Sequence, residues 1–362
     1  MKALIAAGGH ATRFRPITWT MNKHLIPLAN RPLVFNAIEK ITEAGITDIA
    51  ININPGDTEM ERVVGDGSRW GARITCLEQQ GGPKGIAHAV NNAQSWIGED
   101  PFMFYLGDNI VLGSLKKFVE RFQQEQLHCL LALSHVQNPT YLGVAEFDAS
   151  GKLVRVHEKP KVPPSNMAVT GIYFYDKSFF EAFKNIEPSG RGEYEISDIH
   201  TWLLQNGYKV GAEEITGWWK DTGMPRDFLE GNQLIMNDKP SAFWAVDSSS
   251  TIEAGAILQG PIRIEAGAWI GGNVVIRGPV AIGERAVIKN SSIGPYTAIG
   301  NDVVVDGGEL EDSIVLEGAK ITSAERIVDS ILGRNTEITP MKETLPRSGH
   351  RLVIGENSKV EL

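Results

Sequence analysis

A chain of 362 residues is too long for one ordinary domain and predicts about two domains, each able to bury its own core. The net charge of -9 argues against nonspecific binding to nucleic acid or an anionic membrane, so any phosphate must be recognised by a local cluster of positive charge. Two cysteines are too few for a disulfide framework, and their spacing matches no zinc motif. No run approaches the roughly 18 apolar residues of a membrane span, so we expect a cytoplasmic protein.

The first predicted element is a short strand that leads into a glycine loop. An apolar run over residues 4–7 enters Gly8 and Gly9, and Arg13 and Lys23 follow. Glycines let backbone N–H groups approach an anion that a β-carbon would hold off, and the two cations would add fixed positive charge. The stretch 4–32 therefore predicts a phosphate-binding active-site loop. A glycine turn after a strand is also common in α/β proteins without that function.

Strands and helices then alternate along the chain. The apolar spacing predicts strands over residues 46–54, 74–78, 102–106 and 130–136, and helices over residues 33–44, 57–64, 86–97 and 115–124. Such alternation is typical of an α/β domain whose mostly parallel, Rossmann-like sheet is sandwiched between helices.

Three loops of this sheet are predicted to meet at one edge, because ligands bind beyond the carboxyl ends of parallel strands. These are the glycine loop, the loop from Gln80 to Gly85, and the turn that contains Asp108 and Asn109. Asp108 directly follows the apolar run FMFYL, where a carboxylate could hold Mg²⁺ against phosphate oxygens. Gly-Asp-Asn would equally suit a simple turn.

The middle of the chain changes to short segments rich in β formers, at residues 144–147, 153–158 and 168–175, which predict a small antiparallel lid. Between them Glu158 and Lys159 stand together, where Glu could accept sugar hydroxyls and Lys could pair with a sugar phosphate, or both could end a solvated hairpin. A helix is predicted over 194–205. Beyond it, Asp221 comes shortly after two tryptophans in GWWKDTG. An acidic residue beside two aromatic residues and a glycine turn is unusual for a surface loop.

A six-residue repeat begins near residue 251. Aliphatic residues stand at Ile252, Leu258, Ile264, Ile270, Ile276, Ile282 and Ile288, and again at Ile293, Ile299 and Val305. This period fits a parallel β-helix in which each hexapeptide forms one face and the aliphatic side chain points inward. A linker-like stretch at 237–250 predicts domains at 1–240 and 241–362. Residues 341–362 would cap the repeat or pack on a neighbouring subunit.

Taken together, the motifs resemble those of the sugar-1-phosphate nucleotidylyltransferase family. The resemblance covers nearly the whole chain and is strongest to long-form glucose-1-phosphate thymidylyltransferases, which carry a C-terminal left-handed β-helix. It is carried, in order, by LIAAGGHATRFRPIT, NKHLIPLANRP, GIAHAV, YLGDNI, YLGVAEFD, HEKP, AVTGIYFYD, RGEYEISDI and WWKDTG.

The resemblance implies roles for individual residues. Those expected to bind the nucleotide are Gly8, Gly9, Thr12, Arg13, Gln80 and Gly85. Those expected around the sugar phosphate are Asn109, Gly143, Glu158, Lys159, Val169, Tyr173 and Arg191. Mg²⁺ would be held by Asp108 and Asp221, and the catalytic charges would be those of Arg13, Lys23, Asp108 and Lys159.

The implied reaction joins dTTP or UTP to glucose 1-phosphate or a related sugar 1-phosphate and releases pyrophosphate. The implied assembly is a homo-oligomer whose β-helix serves assembly or regulation. Two departures from the family pattern stand out. His10-Ala11 occupies a place where another glycine is usual, and Met21-Asn22 precedes Lys23 where Pro or Ser is frequent.

Two alternatives accompany this reading. One adds acetyl transfer in the β-helix, a reaction that commonly needs a His base, but no His occurs between His200 and His350. The other, motivated by His10-Ala11, is a non-catalytic subunit that binds sugar nucleotides and regulates a partner.

Overall fold

The computed structural model describes residues 1–322 and 325–340, and its N-terminal part is built on a sheet of nine strands. The strands of this part are β1 (Lys2–Ala6), β2 (Pro27–Leu28), β3 (Arg31–Pro32), β4 (Asp48–Ile53), β5 (Arg73–Glu78), β6 (Phe102–Leu106), β7 (Asn109–Val111), β8 (Cys129–His135), β9 (Gly143–Phe147), β10 (Leu153–Glu158), β11 (Met167–Tyr175), β12 (Val210–Glu214) and β13 (Trp219–Asp221). β2 pairs with β3, and β7 with β13, outside the large sheet.

The helices flank this sheet. They are α1 (Leu33–Glu43), α2 (Thr58–Val64), α3 (Ile86–Asn92), α4 (Gln94–Ile97), α5 (Lys116–Gln124), α6 (Ser178–Phe183), α7 (Ile196–Gln205) and α8 (Pro225–Asp238). The helix predicted over 86–97 is broken at Ala93 into α3 and α4. Over residues 1–322 and 325–340, no helix combines the length and the apolar character needed to cross a membrane.

The centre of the sheet is parallel, as the alternation predicts. The strand order is β10-β9-β11-β6-β1-β4-β5, and β1 runs parallel to both β4 and β6. β1 lies between its neighbours in register, so Leu4 pairs with Ala50 on one side and Phe104 on the other. The loops that follow β1, β4 and β6 therefore emerge at one edge of the sheet.

The segments predicted as a separate lid instead extend this sheet. β11 pairs antiparallel with β6 on one side and with β8 on the other, and β9 and β10 continue beyond it. The reason lies in β11 itself, because eight of its nine residues are buried. A strand so apolar needs cover on both faces, which a lid over a rim could not give it.

The C-terminal part consists of short strands stacked in parallel, and we call β14–β27 the C-terminal stack. They are β14 (Thr251–Ile252), β15 (Ile257–Gln259), β16 (Ile262–Ile264), β17 (Trp269–Ile270), β18 (Val275–Arg277), β19 (Val280–Ile282), β20 (Val287–Ile293), β21 (Thr297–Ile299), β22 (Val304–Glu311), β23 (Ile314–Val315), β24 (Lys320–Thr322), β25 (Arg326–Val328), β26 (Ile331–Leu332) and β27 (Glu337–Ile338). The predicted cap at 341–362 lies outside the described residues.

Three ladders of parallel pairs run along the stack. Ile252 pairs with Ile270, Leu258 with Ile276, and Ile264 with Ile282, so the strands of the first turn meet strands 18 residues later. Further along the stack the spacing shortens, as where Ile276 pairs with Ile293, 17 residues later. The repeated aliphatic side chains fill the interior, where Ile270, Ile276 and Ile282 are fully buried. Ile252 is 38% exposed because the first turn of the stack has no turn before it to cover it.

The stack docks on α8 and on the turn between β2 and β3 through polar contacts. The fully buried Asn232 accepts a hydrogen bond from Ala29 N (2.8 Å) and donates one to Tyr296 O (2.8 Å). Asn30 Nδ2 donates to Ile299 O (2.7 Å), and Gln233 Nε2 donates to Asp312 Oδ2 (2.6 Å). These bonds give the interface a single register, because each buried amide group costs about 1–3 kcal/mol if left without its partner.

One buried histidine makes the fold sensitive to acid. His200 is fully buried, its Nε2 lies 2.6 Å from the Tyr175 hydroxyl, and burial lowers its pKa to about 3. Below pH ~6.5 the unfolded chain takes up a proton at this imidazole that the folded protein excludes, so stability falls with falling pH.

We therefore expect the free energy of unfolding to drop between pH 7 and pH 4.5, with about 2–3 kcal/mol of the drop due to His200. Urea titrations of His200→Gln should show a pH-dependent loss smaller by that amount. His135→Gln, at an exposed position, is the matched control. Equal pH-dependent losses in all three proteins would contradict the prediction.

Candidate active site

The glycine loop follows β1 and packs against polar side chains. A β-carbon at Gly8 would lie 3.1 Å from Gln79 Oε1 and 3.3 Å from Asn52 Oδ1, so only glycine fits there without displacing them. Gly9 is clamped by Asn54, whose Oδ1 accepts from Gly9 N (2.8 Å) and whose Nδ2 donates to Gly9 O (2.9 Å). Ala11 adopts a φ of 40°, so the loop keeps a left-handed residue where the family usually has glycine.

Lys23 and Asp108 form an ion pair at the floor of the site. Lys23 Nζ lies 2.8 Å from Asp108 Oδ2, and the lysine side chain is only 7% exposed. Lys23 Nζ also lies 5.0 Å from the centre of the Phe14 ring. Burial opposes ionisation of Asp108, but the neighbouring Lys23 ammonium holds the pKa of this carboxyl below its usual value. Asp108 is therefore ionised at neutral pH.

Asn22 fixes the turn that carries Lys23. Its Nδ2 donates to Ala7 O (2.9 Å) at the end of β1 and to Asp57 Oδ2 (2.7 Å), while its Oδ1 accepts from His24 N (2.9 Å). Asp57 in turn caps α2 by accepting from Met60 N. Asn22 thus connects the end of β1, the turn that carries Lys23 and the start of α2.

Asp221 ends β13 and faces the same cavity as Asp108. β13 pairs with β7, which sets Asp221 opposite Asn109, next to Asp108 in the chain. Burial and the nearby Asp108 carboxylate raise the pKa of Asp221 to about 6. A β-carbon at Gly223 would lie 3.2 Å from Asp221 Oδ2 and 3.4 Å from Arg13 Nη1, so the glycine lets Arg13 approach this carboxylate.

The two carboxylates suit a hard divalent cation. Burial and the neighbouring Asp108 carboxylate raise the pKa of Asp221 more than Lys23 and Arg13 lower it, so a further positive charge at the cavity would favour its ionised form. In residues 1–322 and 325–340 no group of three acidic, His or Cys side chains could hold a metal alone. Asp108 and Asp221 therefore fit a cation whose other ligands are water and substrate phosphate, the usual binding mode of Mg²⁺.

Another part of the cavity wall is formed by the end of β10, by Lys159 and by the loop before α7. Glu158 pairs with Gly143 across the strands, and its Oε1 lies 3.0 Å from Lys159 Nζ and 3.5 Å from an Arg191 nitrogen. Arg191 is also held by Glu195 (2.8 Å). A β-carbon at Gly143 would lie 2.5 Å from Val169 Cγ2, so Val169 packs directly against the backbone of Gly143.

One cavity of about 560 Å³ brings most of the predicted site residues together. The predicted residues that line it are Gly8, Gly9, Thr12, Arg13, Lys23, Gly85, Asp108, Glu158, Lys159, Arg191 and Asp221. Those that do not are Gln80, Asn109, Gly143, Val169 and Tyr173. Gln79 lines the cavity in place of Gln80, which is exposed. Tyr173 is buried against Phe104 and His200.

Several residues of the site were given no role from the sequence, although Asn22, Glu195 and Thr222 lie within the motifs NKHLIPLANRP, RGEYEISDI and WWKDTG. Asn22, Asn54 and Gln79 support the glycine loop, Glu195 holds Arg191, and Thr222 holds the turn at Asp108. Asn54 could have been found, because it follows a predicted strand at the edge where the loops converge. Thr222 and Glu195 act through neighbours that only the fold brings close.

Thr222 positions the two carboxylates. It is fully buried beside Asp221, and its N–H (3.2 Å) and hydroxyl (2.7 Å) both donate to the carbonyl oxygen of Asp108. We expect Thr222→Val to raise the divalent-cation concentration for half-maximal rate about 3–10-fold, with little change at saturating cation, because one of the two bonds is lost. Thr222→Ser keeps the hydroxyl and should restore the cation dependence. A valine variant with the cation dependence of the unmodified protein would contradict this role.

Comparison with known proteins identifies the family of the chain. The profile of the family described as Nucleotidyl transferase matches residues 2–238, and that described as GMPPB C-terminal domain matches residues 276–361. The chain is 41% identical, over the full length of both chains, to a Haloferax volcanii protein named low-salt glycan biosynthesis nucleotidyltransferase Agl11. It is 39% identical to glucose-1-phosphate thymidylyltransferase of Streptomyces antibioticus, covering 100% of this chain and 99% of that one.

A solved structure shows the same catalytic fold. A Bacillus anthracis protein assigned as a glucose-1-phosphate thymidylyltransferase, crystallised with sucrose, is 36% identical with a TM-score of 0.61. The match covers 65% of this chain and 94% of that one. The chain therefore belongs to the nucleotidyl transferase family and, within it, to the sugar-1-phosphate nucleotidyltransferases, which make an NDP-sugar from a nucleoside triphosphate and a sugar 1-phosphate.

Proposed function

We propose that this protein transfers the nucleotidyl group of dTTP or UTP to glucose 1-phosphate or a close relative, with Mg²⁺ as the cation. The observation that carries the proposal is the cavity that is lined together by the glycine loop, Arg13, the two carboxylates, Lys159 and Arg191. The relatives named glucose-1-phosphate thymidylyltransferase favour glucose as the sugar and thymidine as the nucleoside.

The residues act by alignment and charge. A sugar 1-phosphate is already anionic, so it can attack the α-phosphorus in line without a general base. Gly8 would present its backbone N–H group to the triphosphate, Gly9, whose N–H is held by Asn54, would let the chain approach it closely, and Arg13 would balance its charge. Lys159 and Arg191, held beside Glu158, would orient the sugar phosphate. Mg²⁺ held by Asp108 and Asp221 would, when bound, neutralise charge on the phosphate oxygens.

Lys23 also has a defined task in this proposal. Its ammonium is already fixed on Asp108 and over the Phe14 ring, so it needs no rearrangement to meet a phosphate oxygen beside the cation. Such a preorganised charge stabilises a developing negative charge better than a mobile one does.

The pyrimidine would lie on the side of Gly85. The loop from residue 79 to residue 85 borders the cavity through Gln79 and Gly85, and we keep Gln80 as a base-reading candidate that would have to turn inward. Thymine and uracil differ by one methyl group, which is worth about 1–3 kcal/mol, so we expect both dTTP and UTP to react.

The arrangement beyond the active site is part of the proposal. We assign residues 1–240 to catalysis and 241–362 to a left-handed β-helix, supported by the parallel ladders of the C-terminal stack. We further propose a homo-oligomer in the cytoplasm, where the free thiols of Cys76 and Cys129 would stay reduced.

Pyrophosphate release tests the activity. Purified full-length protein is incubated with Mg²⁺, glucose 1-phosphate, and dTTP, UTP, CTP, ATP or GTP in parallel. Release with dTTP or UTP and little with the purine nucleotides is the expected result. Silence with every triphosphate, first with glucose 1-phosphate and then with galactose 1-phosphate or glucosamine 1-phosphate, would overturn the proposal.

A further inference from the structure

One amide side chain of the candidate active site has no partner within the protein. Asn52 lies near the end of β4 and is only 2% exposed, yet its side chain makes no hydrogen bond to residues 1–322 and 325–340. It lines the cavity of the candidate active site. A buried amide without a partner is unfavourable, so a position with a purely structural role would be better filled by an apolar residue. We propose that Asn52 helps to select the nucleotide by binding the edge of its pyrimidine base.

The position of Asn52 in the sheet directs its side chain towards the cavity. Its neighbour Ile51 is fully buried, and side chains alternate along a strand, so Asn52 shares a face with Ala50. Ala50 belongs to the same apolar cluster as Ala87 of α3. Asn52 also pairs with Ala6, the last residue of β1. The amide therefore lies on the α3 side of the sheet, at the point where the glycine loop begins.

Gly8 brings this amide together with that of Gln79. The point that a β-carbon of Gly8 would occupy lies 3.3 Å from Asn52 Oδ1 and 3.1 Å from Gln79 Oε1. Gln79 is 8% exposed, and its Nε2 donates to Gly82 O (3.0 Å), which fixes its Oε1 as an acceptor. Within the described ranges this Oε1 has no donor. One fixed acceptor and one amide that is free to turn thus border the same space beside Gly8.

The two amides complement the edge of thymine or uracil. Both bases carry an N3–H donor between two carbonyl oxygens. Gln79 Oε1 can accept from N3–H, and Asn52, after turning its amide, can donate from Nδ2 to the neighbouring carbonyl oxygen. Cytosine has no proton on N3, so it would leave Gln79 unsatisfied, and an unpaired buried polar group is what makes such a site selective.

The rest of this part of the cavity suits a flat base better than a phosphate group. Its lining includes Ala6, Ile86, Ala89 and Leu106, whose side chains form no hydrogen bonds. The carbonyl oxygen of Gln79 would repel phosphate oxygens, which are also acceptors. A ribose hydroxyl could donate to the same oxygen, and for this reason the test compares a deoxyribonucleotide with a ribonucleotide.

Asn52→Leu tests the assignment, because leucine has a similar size and no hydrogen-bonding atom in its side chain. Full-length protein with Mg²⁺ is titrated calorimetrically with dTDP and with UDP, and kcat/KM is measured for dTTP and UTP. We expect both dissociation constants to rise about tenfold and both kcat/KM values to fall about tenfold, with the KM of glucose 1-phosphate unchanged. The thermal unfolding midpoint should stay the same or rise, since a buried polar group is removed.

Two controls separate base binding from a general disturbance of the site. Asn185→Leu, at an exposed position that does not line the cavity, should change none of these constants. Inorganic tripolyphosphate lacks both base and ribose, so its inhibition constant against dTTP should be the same for Asn52→Leu and for the unmodified protein.

Three results would overturn the proposal. The first is a pair of dissociation constants within about twofold of those of the unmodified protein. The second is a loss confined to UDP and UTP, which would place the ribose 2′-hydroxyl on Asn52. The third is an equal loss of tripolyphosphate inhibition, which would show that the glycine loop itself is disturbed.

The assignment of a pyrimidine base rests on the proposed function, but its test does not require turnover. Failure of the proposed function would appear as absent pyrophosphate release by the unmodified protein. The dTDP and UDP titrations of Asn52→Leu would still report whether the side chain binds the base.

Discussion

Replacing Asp108 with asparagine is expected to lower pyrophosphate release by about 10³-fold at saturating Mg²⁺. The change removes one of the two carboxylates that would hold the cation, and it also removes the partner of the 7%-exposed Lys23 side chain. Lys23 would then lie buried beside a neutral amide, and its preorganised charge would lose its anchor. Steady-state rates across a Mg²⁺ titration measure both effects.

The stability of this variant needs its own control. Loss of one member of a buried ion pair costs about 3–5 kcal/mol, so thermal unfolding must show that the asparagine variant is folded at the assay temperature. Asp108→Glu keeps the charge and should recover stability more than rate, because the longer side chain misplaces the carboxylate. Asp100 forms an ion pair with Lys2, and its side chain is 54% exposed. Asp100→Asn should therefore leave the rate within about twofold. An asparagine variant with a tenth of the normal rate or more would contradict the assignment.

Gly85→Ala should reduce kcat/KM for the nucleoside triphosphate by about 10²-fold. Gly85 has a φ of 97°, and a β-carbon there would lie 2.6 Å from Tyr194 O and 2.8 Å from Tyr194 N. Those two atoms bond Ala87 N (3.2 Å) and Lys84 O (2.8 Å), which fixes the loop against the chain before α7. The alanine must break these bonds or displace α3, and we expect the combined cost to be about 2–4 kcal/mol.

Gly45→Ala is the matched control for this experiment. Gly45 has a similar φ of 87°, but no atom lies within 4 Å of the position of its β-carbon. It should lose about 1 kcal/mol of stability from backbone strain and keep its kinetic constants. If Gly85→Ala behaves like Gly45→Ala in both stability and kinetics, the close packing on Tyr194 has no bearing on nucleotide binding.

The features that were predictable from sequence share a local signal. The strand before Gly8 and the strand before Asp108 are short apolar runs that end in turn residues, and the parallel sheet rule then brings their ends together. The six-residue repeat from Ile252 is equally local, and the burial of Ile270, Ile276 and Ile282 follows from it. These predictions needed no knowledge of distant contacts.

The features that were missed depend on residues far apart in the chain. Asn22 bonds Asp57, 35 residues later, and the Thr222 hydroxyl bonds Asp108, 114 residues earlier. Both residues lie within quoted motifs, but the motifs do not show which distant atom the amide or the hydroxyl binds. The placement of β11 was wrong for a related reason. The short β-rich segments around β11 predicted a lid, whereas β11 lies inside the sheet between β6 and β8 and packs on α5 and α7 through its two faces.

The burial of Asn232 has a consequence for how the protein is made. Its side chain bonds Ala29, 203 residues earlier, and Tyr296, 64 residues later. When the ribosome has completed α8, the first bond can form, but the second must wait until the stack has grown past β20. During that interval the amide donor remains hydrated. The catalytic part is synthesised first, yet the buried amide of Asn232 finds its second partner only during synthesis of the part that follows.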